Sequence, residues 1–151
     1  MKLSTAAALG IQGVLVLAER HGSGTVTLEE ICRARALPRD YMARIFSLLS
    51  RAGLVAAVRG KHGGYRLGRD PGAISLLEVI EAVEGPLAMN LCQHSPPRCE
   101  EVGCPVRPVW SDIQRRVSSV LAGKTIRDLA CGSSQTLAGT LAPAAGKHNE
   151  S

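Results

Sequence analysis

Three of the chain's five cysteines fall within thirteen residues, as Cys92-x6-Cys99-x4-Cys104. Thiolates are soft ligands that suit iron-sulfur clusters and zinc, and pairs of them form disulfides. Pro96-Pro97, Gly103 and Pro105 bend the segment, so sulfurs that a rigid helix would hold apart can converge. The spacing is not the paired Cys-x2-Cys of a zinc ribbon. Cluster ligation, zinc, a disulfide switch and buried spectator thiols all stay open on spacing alone. Three sulfurs leave a fourth ligand unnamed: His94, Glu100 and Glu101 are neighbours, and a second subunit is another source. Cys32 lies on the apolar face of a short helix and reads as a small core residue, while Cys131 has no assigned role. The odd cysteine count argues against a fully paired disulfide framework and fits a reducing cytoplasm.

A second constellation is basic. Arg39, Arg44 and Arg51 recur along a helix expected from Pro38 to Ala52, with Tyr41 and Ser47 adding hydroxyls. Met42, Ile45, Phe46, Leu49 and Ala52 form its apolar stripe, and Asp40, Ala43, Arg44, Ser47 and Arg51 its wet face. Such a helix fits the DNA major groove, where base edges present a distinct donor and acceptor pattern. Leu54 to Val58 and Tyr65 to Leu67 then read as two short strands around Arg59-Gly60-Lys61-His62-Gly63-Gly64. In that hairpin Arg59, Lys61 and His62 are candidate phosphate contacts. Gly63 and Gly64 let backbone approach a sugar-phosphate wall, and Tyr65 belongs to the same candidate surface. Charge agrees with this division: residues 1–70 hold 11 basic and 5 acidic residues, and residues 71–151 hold 7 and 8. One end is built to meet a polyanion such as double-stranded DNA.

The elements that must position these groups are legible. The uncharged run Leu3 to Ala18 superficially resembles a secretory signal, but Gln12 and two glycines interrupt it. It falls short of the ~20 apolar residues a bilayer span needs, so it reads as a buried first helix capped by Ser4, with no membrane partner. Thr27-Leu28-Glu29-Glu30 is a capping box opening a second helix to about Arg35, and Ser75-Leu76-Leu77-Glu78 opens a fourth that ends near Gly85-Pro86. Gly53 is the left-handed stop of the third. Val106, Val109, Trp110, Ile113, Val117, Val120 and Leu121 mark an amphipathic helix, and Lys124 to Leu129 adds a short turn. At 151 residues with 45% apolar and 3% aromatic content, the chain is one domain whose core is mostly Ala, Leu, Val and Ile. Collagen-like, globally disordered and disulfide-stapled classes are excluded. No nucleophile-base pair, P-loop or paired carboxylates appear, so an enzyme is not expected.

Three helices followed by a basic hairpin is the element order of a winged helix-turn-helix. Met1-Lys2-Leu3-Ser4-Thr5, Gly53-Leu54-Val55, Arg59-Gly60-x-x-Gly63-Gly64-Tyr65-Arg66-Leu67 and the run from Ile74 to Pro86 resemble the Rrf-two-type regulators, the IscR/NsrR-like family. The resemblance covers roughly residues 1–130. It implies a mainly α homodimeric transcription factor, a repressor, with a small β-hairpin wing and a long C-terminal dimerisation helix crossing between subunits. Its parts would be a winged helix-turn-helix reader at 1–70, a bracing helix and cysteine loop at 71–105, the dimerisation helix at 106–130 and a flexible tail at 131–151. By the same resemblance Cys92, Cys99 and Cys104 hold a 2Fe-2S or 4Fe-4S cluster that senses iron-sulfur status, nitric oxide or redox stress, and the dimer binds a pseudo-palindromic operator. Arg107 stands where IscR-like members place a histidine ligand, and Ala8 where NsrR-like members hold an aspartate. Ala43 replaces an acid that some relatives carry on the reading face. Two rival readings stay in view: a cluster-free thiol switch that binds DNA, and an iron-sulfur carrier whose basic wing is mere solvated surface.

Overall fold

The computed structural model describes residues 3–132. In chain order it contains α1 (Thr5–Glu19), α2 (Leu28–Arg35), α3 (Arg39–Arg51), β1 (Val55–Val58), β2 (Gly64–Leu67), a 3-10 turn (Pro71–Ala73), α4 (Leu76–Glu84), a second 3-10 turn (Leu91–Gln93), α5 (Arg107–Ala122) and α6 (Ile126–Gly132). No helix is long and apolar enough to cross a membrane among the described residues.

Local chemistry sets the helix ends. Ser4 Oγ accepts from the Ala7 amide at 3.1 Å and starts α1. Both expected capping boxes form: Thr27 and Glu30 exchange bonds of 3.2 and 2.8 Å, and Ser75 and Glu78 exchange bonds of 3.1 and 2.9 Å. A third, at Thr125 and Asp128, opens α6 with bonds of 3.0 and 3.1 Å. Backbone amides at Thr27, Ser75 and Thr125 hold the Glu30, Glu78 and Asp128 carboxyls below the usual carboxylate range, with Arg69 adding to the effect at Glu78. Depressed folded-state values stabilise the fold above the unfolded-state values, and that contribution is lost as pH falls through the folded ones. Ser75→Ala should therefore lower stability by about 0.5–2 kcal/mol at neutral pH. Urea unfolding at neutral pH measures the loss, and the smaller part of it that runs through the Ser75 hydroxyl's bond to the Glu78 carboxylate disappears as pH falls.

Packing follows from the apolar faces. Helix α1 is apolar on most of its circumference and packs against α2, α3, α4 and α6. Its Gly13 permits close approach of α3: a methyl group there would lie 2.6 Å from Phe46 Cε2 and 2.9 Å from Met42 Cε. Met42, Ile45, Phe46 and Leu49 of α3 are buried as the stripe requires, but Ala52 is exposed. Ala52 is the C-cap, where the chain turns into the left-handed Gly53 at φ +76° and leaves the stripe. Pro38 is the residue before α3 rather than its first helical residue.

The two strands pair antiparallel with Val55 opposite Leu67 and Val58 opposite Gly64. Val26, between α1 and α2, extends this hairpin by exchanging backbone bonds of 2.8 and 2.7 Å with Tyr65. After α5 the chain returns to the body: Ile126 is fully buried, its amide donates to the Ile74 carbonyl at 2.9 Å, and Arg127 pairs with Asp70. Within the stretch 106–130 expected to dimerise, α6 is a separate helix that packs back on α1. Cys131 and Gly132 close α6, and the rest of the expected tail lies outside the described residues.

Candidate nucleic-acid interface and cysteine loop

Helix α3 presents Asp40, Ala43, Arg44, Ser47 and Arg51 outward, all exposed, with Tyr41 and Arg39 at its start. Arg39 lies 3.8 Å from Glu29 in a wet ion pair. Arg59, Lys61 and His62 are exposed at the wing. Arg35 pairs with Glu19, Arg69 with Glu78 and Arg127 with Asp70, while Arg33, Arg66, Arg98 and Lys124 have no ion pair among the described residues. The side chains of Arg44, Arg51, Arg59 and Lys61 form no ion pair or hydrogen bond among the described residues. Unpaired surface cations on one helix and one hairpin are the arrangement that phosphate binding uses, since counterion release is not offset by breaking internal pairs.

Three residues of the candidate surface also have internal contacts. Tyr65 is half-buried, its ring set edge-on to Phe46 with centroids 4.8 Å apart, so it ties the wing to α3. Gly63 and Gly64 are required by the protein's own backbone. A Cβ at Gly63 would sit 2.6 Å from the Val58 carbonyl oxygen, and one at Gly64 2.7 Å from that of Val26. The hydroxyl of Thr25 donates to the His62 carbonyl at 2.7 Å, a second tether on the wing. The sequence marks Thr25 only as the end of a glycine-containing turn, and a lone apolar residue between two threonines is the one signal for Val26. Gly64→Ala should cost about 1–3 kcal/mol by overpacking. It should also loosen the wing, seen as lost amide protection at Val26 and Tyr65 in hydrogen exchange.

Cys92 lies on the second 3-10 turn, and its Sγ accepts from Gln93 Nε2 at 3.3 Å. The same amide donates to Ser111 Oγ of α5 at 3.1 Å. Cys99 and Cys104 follow on irregular backbone, and all three thiols are free and half-buried. Near the loop's end the Arg107 amide donates to the Cys104 carbonyl at 3.2 Å, and its guanidinium donates to the Glu101 carbonyl at 2.6 Å. Arg107 Nε is buried without a partner. Among the described residues no three His, Cys, Asp or Glu side chains are arranged to hold a metal ion. The thiols are the donor type a cluster takes, but they are not gathered into a ligand set here, and Arg107 brings a cation to a place where a fourth ligand would be wanted. His94 is half-buried, and Glu100 and Glu101 are exposed. Cys32 is buried as expected, and burial pushes its thiol up.

Helix α5 carries the expected apolar residues, yet none of its side chains is buried. Val106, Val109 and Val120 are 46%, 53% and 65% exposed.

The family described as "Rrf2: Iron-dependent Transcriptional regulator" matches residues 3–132. The HTH-type transcriptional regulator CymR of Bacillus subtilis (strain 168) is 37% identical over 131 residues, covering 86% of this chain and 90% of that protein. The HTH-type transcriptional regulator IscR of Aliivibrio salmonicida (strain LFI1238) is 35% identical over 130 residues, covering 85% and 77%. The solved structure of CymR, described as the global cysteine regulator of B. subtilis, superposes with a TM-score of 0.75 at 34% identity over 87% of this chain and 97% of that one. These relatives are regulators and not enzymes. With its helical body, exposed basic α3 and docked wing, the chain belongs to the Rrf2 family of DNA-binding transcriptional regulators.

Proposed function

We propose that the protein is a cytoplasmic homodimeric repressor that grips a pseudo-palindromic operator through α3 and the wing, and that the Cys92–Cys104 loop releases or tightens that grip. The single observation that carries this reading is the set of free cations: Arg44, Arg51, Arg59 and Lys61 are exposed and unpaired on adjoining elements. The unburied apolar face of α5 supports a second copy. Two recognition helices in such a dimer would stand about one helical turn of DNA apart, ~34–36 Å. The loop lies between α4, which packs on α3, and α5, so a change in the loop reaches both the reader and the dimer contact. A coupling of ~1–3 kcal/mol between loop and operator would change affinity by about 5–150-fold.

Two chemistries could work the loop. A 2Fe-2S or 4Fe-4S cluster on Cys92, Cys99 and Cys104 would supply a group that oxidants or nitric oxide attack. Thiol oxidation without a metal is the alternative, supported by the similarity to Staphylococcus aureus CymR, of which an oxidized form has been solved. An iron-sulfur carrier with no affinity for DNA would leave the unpaired cations unexplained.

Footprinting of purified protein on genomic promoter fragments tests the proposal. A protected two-fold site is expected, with log affinity falling linearly against log salt and the slope reduced by about 1 in Lys61→Ala. Absence of any protected site, even at low salt, overturns it. The visible spectrum of anaerobically purified protein separates the two chemistries, because clusters are coloured and thiols are not.

A further inference from the structure

A cavity of about 410 Å³ opens between α4, the cysteine loop and α5, walled by Glu84, Leu87, Gln93, His94, Arg98 and Gln114. None of the candidate DNA-contacting residues lines it, and no cysteine does. Two of its walls are already held internally. Gln114 accepts from the Met89 amide at 2.8 Å and donates to the Leu87 carbonyl at 3.1 Å, while Gln93 donates to Ser111. The charged groups are differently placed. Neither the Arg98 guanidinium nor the His94 ring forms a hydrogen bond or ion pair among the described residues. Glu84 receives the Ser4 amide on Oε1 at 2.6 Å, and no hydrogen bond reaches Oε2.

We propose that this cavity binds a small zwitterion of the α-amino acid class, its carboxylate on Arg98 and its ammonium on Glu84. A guanidinium meets a carboxylate through two parallel hydrogen bonds, and a carboxylate is the natural partner of an ammonium. Arg98 and Glu84 on one cavity wall set therefore select for both charges at once. The volume is at the small end of the ~300–1,000 Å³ typical of ligand pockets. Glu84 is tied to the first turn of α1, and Gln93 and Arg98 are neighbours in sequence of Cys92 and Cys99. A bound zwitterion thus bridges the reader's body to the sulfur-bearing loop. The inference rests on the regulator reading for what the binding accomplishes, but binding itself is measurable without DNA.

Calorimetric titration of the full chain with each of the twenty proteinogenic L-amino acids, and with propionate and n-propylamine as single-charge probes, tests it. At least one amino acid should bind with one-to-one stoichiometry and neither single-charge probe should compete with it. Arg98→Met and Glu84→Gln should each weaken that binding at least tenfold. Both variants should melt like wild type, since Arg98 is exposed and glutamine still accepts from Ser4. No binding by any amino acid, undiminished binding by both variants, or equal binding of propionate overturns the proposal. Footprinting of ligand-free wild type alongside keeps the two readings apart: a protein that protects DNA but binds no amino acid loses only the zwitterion site.

Discussion

Replacing both Val109 and Val120 by Glu should leave a folded monomer that binds its operator about 10²–10⁴-fold more weakly, the range by which two linked contacts exceed one. Both valines lie on α5 and are more than half exposed, at 53% and 65%. The helix is about 24 Å long at 1.5 Å per residue, and over that length no side chain of it is buried. A lone chain gains nothing by presenting this row of apolar residues to water, so a second copy is its natural cover. Charges introduced there would face each other across the two-fold axis, while the body, held by α1, α3, α4 and α6, is untouched. Sedimentation equilibrium gives the oligomeric state and footprinting gives the affinity. A persisting dimer would place the interface elsewhere. A monomer with undiminished affinity would show that one reading head suffices.

Phe46→Ala should be the most damaging single change to stability, at about 3–5 kcal/mol by the cost of emptying a large buried aromatic site. Domains of this kind have only ~5–15 kcal/mol in total, so much of the population would unfold near physiological temperature. Phe46 is fully buried, lies beneath Gly13 of α1 and meets the Tyr65 ring edge-on. It therefore holds three things together: the first helix, the recognition helix and the wing. Phe46→Leu keeps most of the volume and should lose less. Urea unfolding of the two variants, with amide exchange at Tyr65, checks this. A loss under 1 kcal/mol for Phe46→Ala would mean that the wing is docked chiefly by its backbone bonds to Val26.

The reader was legible because its signals are local. Thr27 with Glu30, and Ser75 with Glu78, announce helix starts within four residues, and the spacing of Met42, Ile45, Phe46 and Leu49 orients α3 by itself. Once the apolar stripe is fixed, the outward direction of Arg44, Ser47 and Arg51 follows from helical geometry. The packing role of Tyr65 was not legible for the same reason. Beside a basic turn it reads as a surface group, and only the arrival of Phe46 from another element shows that its ring is also held internally.

What the amino-acid order settles on its own is which segments are helices or strands, their ends to within about three residues, and which cations stand free of the core. Caps, periodicity and charge act between residues a few positions apart, so no knowledge of the whole is needed. The tertiary arrangement alone decides why Gly13, Gly63 and Gly64 must lack a side chain, that α6 folds back on α1, and that three closely spaced thiols are not drawn together. Each of these depends on how near two backbones or loops come when distant segments pack, and that distance is set by the sum of all contacts rather than by any neighbouring residue.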